Sequence, residues 1–231
     1  MLFEKPRICN IDTKYDLLTK KCLQDCSFKG TNDNDIVKIC NDPNIAQWEG
    51  KVYLTFIDKD LFPYINIYNN IITYKVGNLE SFRDFLLSIT KKTICNKLIS
   101  VNINILLNEL FCFLKIITKY GLIHGNLHID NLYINRYTYK FYIIDYSNAY
   151  IKTNNNSLQP NYKRTSFIGE YDTKKDFDYW DFFTLYLSLK YFFINNKYTT
   201  HYILTLEKLF KENVDDNTYN NYIQYIIAYQ H

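Results

Sequence analysis

The stretch Gly121–Ser147, GLIHGNLHIDNLYINRYTYKFYIIDYS, is the most informative part of this chain. His124 and Asn131 stand seven residues apart, with Asn126 and His128 between them, and an apolar run then delivers Asp145. Leu132–Asn135 and Lys140–Ile144 read as short strands, rich in aromatic and β-branched residues and bounded by polar ones. Upstream, Ile103, Leu106, Leu107, Leu110, Phe113, Leu114 and Ile117 recur at helical spacing, which predicts a helix over Asn102–Tyr120. Gly121 is its plausible stop. The local plan is helix, polar loop, strand, and an acid at the strand end.

Towards the N-terminus the period changes near Val76–Leu79. Before that point the chain is β-like. Asp35–Cys40 is a strand introduced by the polar turn Thr31–Asn34, and Ile65–Tyr68 and Ile71–Val76 form a hairpin about Asn69-Asn70. Ile45–Ile57 is a helix, entered through Asp42 and Pro43. Glu80–Ser88 is a further short helix. Beyond a polar loop at Lys152–Tyr171, a strongly apolar helix starts near Asp176, and helices over Thr200–Glu212 and Tyr219–Tyr229 finish the chain. The expectation is an α+β chain in two lobes, a β-rich one over residues 1–77 and a mainly helical one over 78–231.

Composition bounds the function. The chain has 231 residues, 47% of them hydrophobic, with 23 Tyr and 16 Phe, enough to bury a core. Its 27 basic and 24 acidic residues give a net charge of +3, too balanced to indicate nucleic acid. Cys9, Cys22, Cys26, Cys40, Cys95 and Cys112 form no C-x-x-C pair, and no His is spaced beside them as a zinc ligand. Reduced thiols in a cytosolic protein are expected. There is no apolar core of signal-peptide length and no run of membrane-span length, so a soluble, cytoplasmic protein without membrane contact is expected.

The order of these elements resembles the protein-kinase-like fold, over roughly Cys22 to Lys190. Protein kinases spell the central loop H-R-D-x-x-x-x-N and follow it with D-F-G. The loop here is closest to the H-G-D-L-H-x-x-N wording of aminoglycoside- and choline-kinase-type phosphotransferases, matched at His124, Gly125, Leu127, His128 and Asn131. The composition and length also resemble those of kinase-like proteins of large cytoplasmic DNA viruses, which would place the chain in host cytoplasm or virion.

The resemblance implies a role for each matched position. Lys38, in Ile36–Ile39, takes the place of the strand lysine that holds nucleotide phosphates, and Glu49 that of its helix partner. Asn131 and Asp145 take the places of the Mg²⁺ ligands, and Tyr146-Ser147 follow where Phe-Gly is usual. In the phosphate-covering loop Leu23–Gly30, Ser27 and Phe28 resemble the tip, while Gln24, Cys26 and Lys29 occupy the glycine positions. Asp178 and Trp180 resemble the D-x-W start of the large central helix, whose Asp binds the catalytic-loop backbone. The activation segment would be Ser147–Asp178; it lacks A-P-E and carries Thr165 and Ser166 beside Lys163-Arg164. The implied cofactors are Mg²⁺ and ATP, held weakly.

One departure bears on chemistry. Asn126 stands where the catalytic Asp belongs. An amide can position a hydroxyl but is not a base. General acid–base help is typically worth ~10²–10⁴-fold, so its loss slows phosphoryl transfer without abolishing it. His128 is the one local group able to substitute, since an imidazole titrates near ~6.5. The leading expectation is therefore a pseudokinase or very weak phosphotransferase, acting as a nucleotide-binding scaffold for another protein. The alternatives are an active, divergent Ser/Thr or small-molecule kinase and, on composition alone, an RNA-binding module.

Overall fold

The computed structural model describes residues 26–30, 35–94, 102–153, 157–160, 179–196, 198 and 200–229. The fold is α+β, with three small antiparallel sheets and six α-helices among the described residues. In the four-stranded sheet, β1 (Cys26–Gly30), β2 (Ile36–Cys40), β3 (Tyr64–Tyr68) and β4 (Ile71–Lys75) run in the order β1-β2-β4-β3. Asn69, at φ 53°, turns the β3–β4 hairpin, and Asn tolerates that left-handed backbone better than most residues. Alternation along the strands decides what points inward. Lys38 and Cys40 are buried on β2, and Ile72 and Tyr74 on β4, with Lys38 directly opposite Ile72.

Helix α1 (Pro43–Thr55) lies between β2 and β3 in the chain. Asp42 caps it by accepting the Asn44 N–H at 2.9 Å, and Pro43 fills the first turn, where its missing N–H costs nothing. Ile45, Ala46, Trp48, Glu49 and Val52 are its buried residues. The face is apolar apart from Glu49, which is aimed at β2.

Cys26 and Cys40 form a disulfide, a correction to the reduced thiols expected from sequence. They are partners in the β1–β2 ladder, and no short motif announces a pair that only strand register brings together. Cys112 is free and exposed. Cys9, Cys22 and Cys95 lie outside the described residues.

β5 (Leu79–Ser81) pairs with β7 (Leu132–Asn135), which pairs with β8 (Phe141–Ile143). The helix expected at Glu80 therefore starts later, as α2 (Phe82–Ile94). Glu80 is held on the ladder opposite Ile134 and takes both arms of the Arg136 guanidinium. α3 (Ile103–Lys119) buries Phe111, not Phe113, beside the other expected positions. Asn102 caps it through the N–H groups of Asn104 and Ile105. Gly121 ends the turn after it at φ 77°, and a Cβ there would meet the Lys152 carbonyl at 2.3 Å. Only glycine lets the chain reverse into β6 (Leu122–Ile123), which joins β9 (Tyr150–Lys152) and β10 (Ser157–Leu158) in the third sheet.

α4 (Trp180–Asn195) is buried on nearly all sides and packs on α5 (Thr200–Asn213), where Tyr186 stacks on Phe210 with centroids 4.6 Å apart. α6 (Asp216–Tyr229) starts three residues before the expected Tyr219, because Asp215 caps it through the Thr218 N–H at 2.9 Å. Among the described residues, no helix is long and apolar enough to cross a membrane.

Candidate functional site

Lys38 is the centre of a buried ionic cluster. Its Nζ donates to Glu49 Oε1 and, at 2.7 Å, to Asp145 Oδ1. The three side chains come from β2, α1 and the segment after β8, and all are nearly inaccessible: Lys38 is 1% exposed, Glu49 0% and Asp145 5%. Burial works against the Lys38 ammonium, but the carboxylates of Asp145 and Glu49 outweigh it and hold its pKa above the usual 10.5. Burial pushes the Glu49 carboxyl up, with Lys38 pulling the other way. The cluster brings together two carboxyl groups and one ammonium.

Tyr74 completes the cluster, and no sequence pattern marks it. Its hydroxyl donates to Glu49 Oε2 and accepts the Asp145 N–H at 3.1 Å. Burial raises the Tyr74 phenol well above its ordinary pKa, so it stays a donor. Asp145 has φ 66° and ψ 64°, a left-handed backbone that a non-glycine residue keeps only where its surroundings hold it. Ser147 Oγ donates to Asp145 Oδ1 at 2.8 Å.

The loop from His124 to Asn131 sits beside this cluster. β8 ends at Ile143, one residue short of the expected Ile144. Ile144 turns its N–H to the Asn131 carbonyl at 3.0 Å and its carbonyl to His124 Nε2 at 3.0 Å. His124 Nδ1 accepts the Asn126 N–H at 3.3 Å, so the hydrogen-bond pattern assigns the ring proton to Nε2. His128 Nδ1 accepts the Asp130 N–H at 3.3 Å and caps a 3-10 turn over Ile129–Asn131. Both imidazoles are buried and engaged in holding the loop. Asp130 in turn pairs with Arg83; although burial opposes its charge, the guanidinium helps to hold its carboxyl below the usual carboxylate range.

The helix that supports the loop uses a different acid from the one expected. Asp178 lies outside the described residues, and it is Asp181 that accepts the His124 N–H at 2.6 Å and the Gly125 N–H at 2.9 Å. Trp180 Nε1 donates to the Gly125 carbonyl at 3.0 Å. Burial pushes the Asp181 carboxyl up to about 7, against the two N–H donors that favour its charge. The sequence carries acids both before and after Trp180. The loop faces the second, one residue into α4.

Asn131 points to a ligand. Its Nδ2 donates to the Asn126 carbonyl at 3.0 Å, which fixes the amide, and its Oδ1 is buried with no hydrogen-bond partner among the described residues. A buried carbonyl oxygen left unpaired is costly unless something fills it. Among the described residues no group of three or more His, Cys, Asp or Glu side chains could hold a metal by itself. An amide oxygen with a nearby carboxylate is instead the donor set that a small hard cation completes with water and phosphate oxygens. Asn131 and Asp145 fit Mg²⁺ on that test.

The expected covering loop is a strand where it is described. Ser27 is exposed on β1 opposite Ile39, away from the cluster, so a loop-tip role for it is corrected. Phe28 lies on the other face, opposite Lys38, with its ring centroid 5.6 Å from Nζ. Gln24, Thr165 and Ser166 lie outside the described residues. No protein-family model matches the chain, and no curated protein matches it.

Proposed function

We propose that this chain is a two-lobed, protein-kinase-like protein that binds Mg·ATP weakly and transfers phosphate poorly or not at all, serving as a nucleotide-dependent scaffold for another protein. The observation that carries the reading is the Lys38 ammonium held between Glu49 and Asp145, with Asn131, whose Oδ1 has no hydrogen-bond partner among the described residues, bound through its carbonyl to the Ile144 N–H. In this reading Lys38 neutralises the nucleotide's phosphates, and Glu49 fixes the direction of its ammonium. Asn131 and Asp145 hold the cation, which when bound screens the phosphate charge. Asn126 occupies the place of the base and offers only an amide, while both ring nitrogens of His124 and Nδ1 of His128 are engaged in the loop.

The intact pair Asn131 and Asp145 also favours a second reading, a slow but real phosphotransferase. Thermal-shift titration with Mg·ATP tests the shared part: wild type rises in melting temperature and Asp145→Asn rises less. No shift at millimolar Mg·ATP removes both readings. Phosphate release by wild type against Asn126→Asp then separates them: a scaffold shows little or none until Asn126→Asp raises it, and a slow enzyme shows wild-type turnover that Asn126→Asp leaves unchanged.

A further inference from the structure

Helix α1 is tied to Asp145 twice, once through Lys38 and once through Tyr74. The second tie is independent of the ammonium. Tyr74 is fully buried on β4, and its hydroxyl gives its one proton to Glu49 Oε2 while its lone pair takes the Asp145 N–H. Its ring meets Tyr146 edge-on at 6.3 Å, so it also packs against the residue after Asp145. The backbone of Asp145 is left-handed, and it is held by Tyr74 on its N–H and by Lys38 and Ser147 on Oδ1.

We propose that Tyr74 is a positioning residue that latches α1 to Asp145, so that the Lys38–Glu49–Asp145 cluster stands assembled before any ligand arrives. Its functional consequence rests on the reading of that cluster as a nucleotide site. Mg·ATP then meets a preformed site, and its affinity is not gated by a swing of α1 or by a partner that pushes the helix in. Removing the hydroxyl leaves the Asp145 N–H and Glu49 Oε2 short of a partner in a buried place, which frees the backbone turn on which the cation-binding carboxylate depends.

Tyr74→Phe is the test, because it keeps the ring and deletes only the hydroxyl. Amide hydrogen exchange on the full chain without ligand should be roughly 10-fold faster at Asp145, the size of one net hydrogen bond. Amides in α3, such as Leu110, should change no more than the global stability does. Tyr68→Phe, at an exposed position on β3, should match wild type. The Kd for Mg·ATP should weaken by roughly 5-fold in Tyr74→Phe, the order expected for one lost tie. Exchange at Asp145 that rises no more than in α3 overturns the latch. An unchanged Kd in Tyr74→Phe overturns its consequence for binding. A wild type that binds no Mg·ATP removes the nucleotide reading, while the exchange comparison still decides the latch. If Tyr74→Phe does not fold, the wild type decides: the Asp145 amide should exchange as slowly as that of Leu110 in α3, and exchange as fast as at an exposed turn overturns the latch.

Discussion

The loop from His124 to Asn131 and the strand β1 face the same cluster, and they are built differently. The loop is tied at nearly every residue. Asp181 takes two of its N–H groups, Trp180 and Asn131 take two of its carbonyls, Ser188 takes the Ile129 N–H, and His124 pins Ile144. β1 is held by its ladder with β2, its disulfide, and the contact of Phe28 with Lys38, and Ser27 and Lys29 point away to solvent. The side of the site that would hold a cation is rigid and specified by side chains. The side that would cover phosphates has Cys26 and Lys29 where bare backbone would be needed.

The sharpest way to break this contrast is Lys38→Met. It keeps the stem and removes the charge, leaving two carboxyl groups buried without their counter-ion. Breaking a buried pair on one side costs about 3–5 kcal/mol, so a large drop in the urea midpoint is expected. A loss below 1 kcal/mol would mean the cluster is wetter than its burial implies.

Asn126→Asp probes the loop next. The side chain is nearly isosteric and the loop backbone is held by other groups, so the variant should fold as wild type. If Asn126 were the sole defect, turnover would rise by the ~10²–10⁴-fold that acid–base catalysis supplies. A smaller rise is expected because Cys26 and Lys29 stand where the resemblance calls for glycine. Phosphate release under single-turnover conditions measures it, and robust wild-type turnover that Asn126→Asp leaves unchanged would contradict the weak-catalysis reading.

Asp181 gives the contrast a pH dependence. Its folded-state pKa of about 7 lies above the ~3.9 of an unfolded aspartate. Between those values the folded chain holds a proton that the unfolded chain does not. The stabilisation due to that proton is fully present below about pH 4 and is lost as pH rises through about 7. Urea midpoints for wild type should therefore fall relative to those of Asp181→Asn across that window. Parallel profiles would show that the two N–H donors keep the carboxylate charged throughout.

The smallest effect belongs to β1. Ser27→Ala should shift stability by no more than about 0.5 kcal/mol and leave Mg·ATP affinity unchanged, as expected for an exposed strand residue away from the cluster. A clear loss of affinity would return Ser27 to the site.

Much of the architecture was legible because it rests on local rules. Helical spacing located α3, α4 and α5, the paired asparagines located the β3–β4 turn, and strand alternation accounts for Lys38 pointing inward. Boundaries moved where a long-range partner intervened, as where the ladder with β7 kept Glu80 and Ser81 out of α2. The D-x-W resemblance points to Asp178 and carries no signal for Asp181, because side-chain direction at a helix start depends on how the helix packs.

The chain alone determined which chemical groups are available: a strand lysine, a helix glutamate, and an amide and a carboxylate separated by one loop and one short hairpin. Periodicity and spacing carry that information because they are properties of neighbours in the sequence. Tertiary structure decided which of those groups meet. Tyr74 reaches Glu49 and Asp145, Cys26 meets Cys40, and the Asn131 Oδ1 lacks a partner among the described residues only after sheet register and helix packing have set their directions. Such contacts cost chain entropy to form and are fixed by the sum of the packing, so no local pattern announces them.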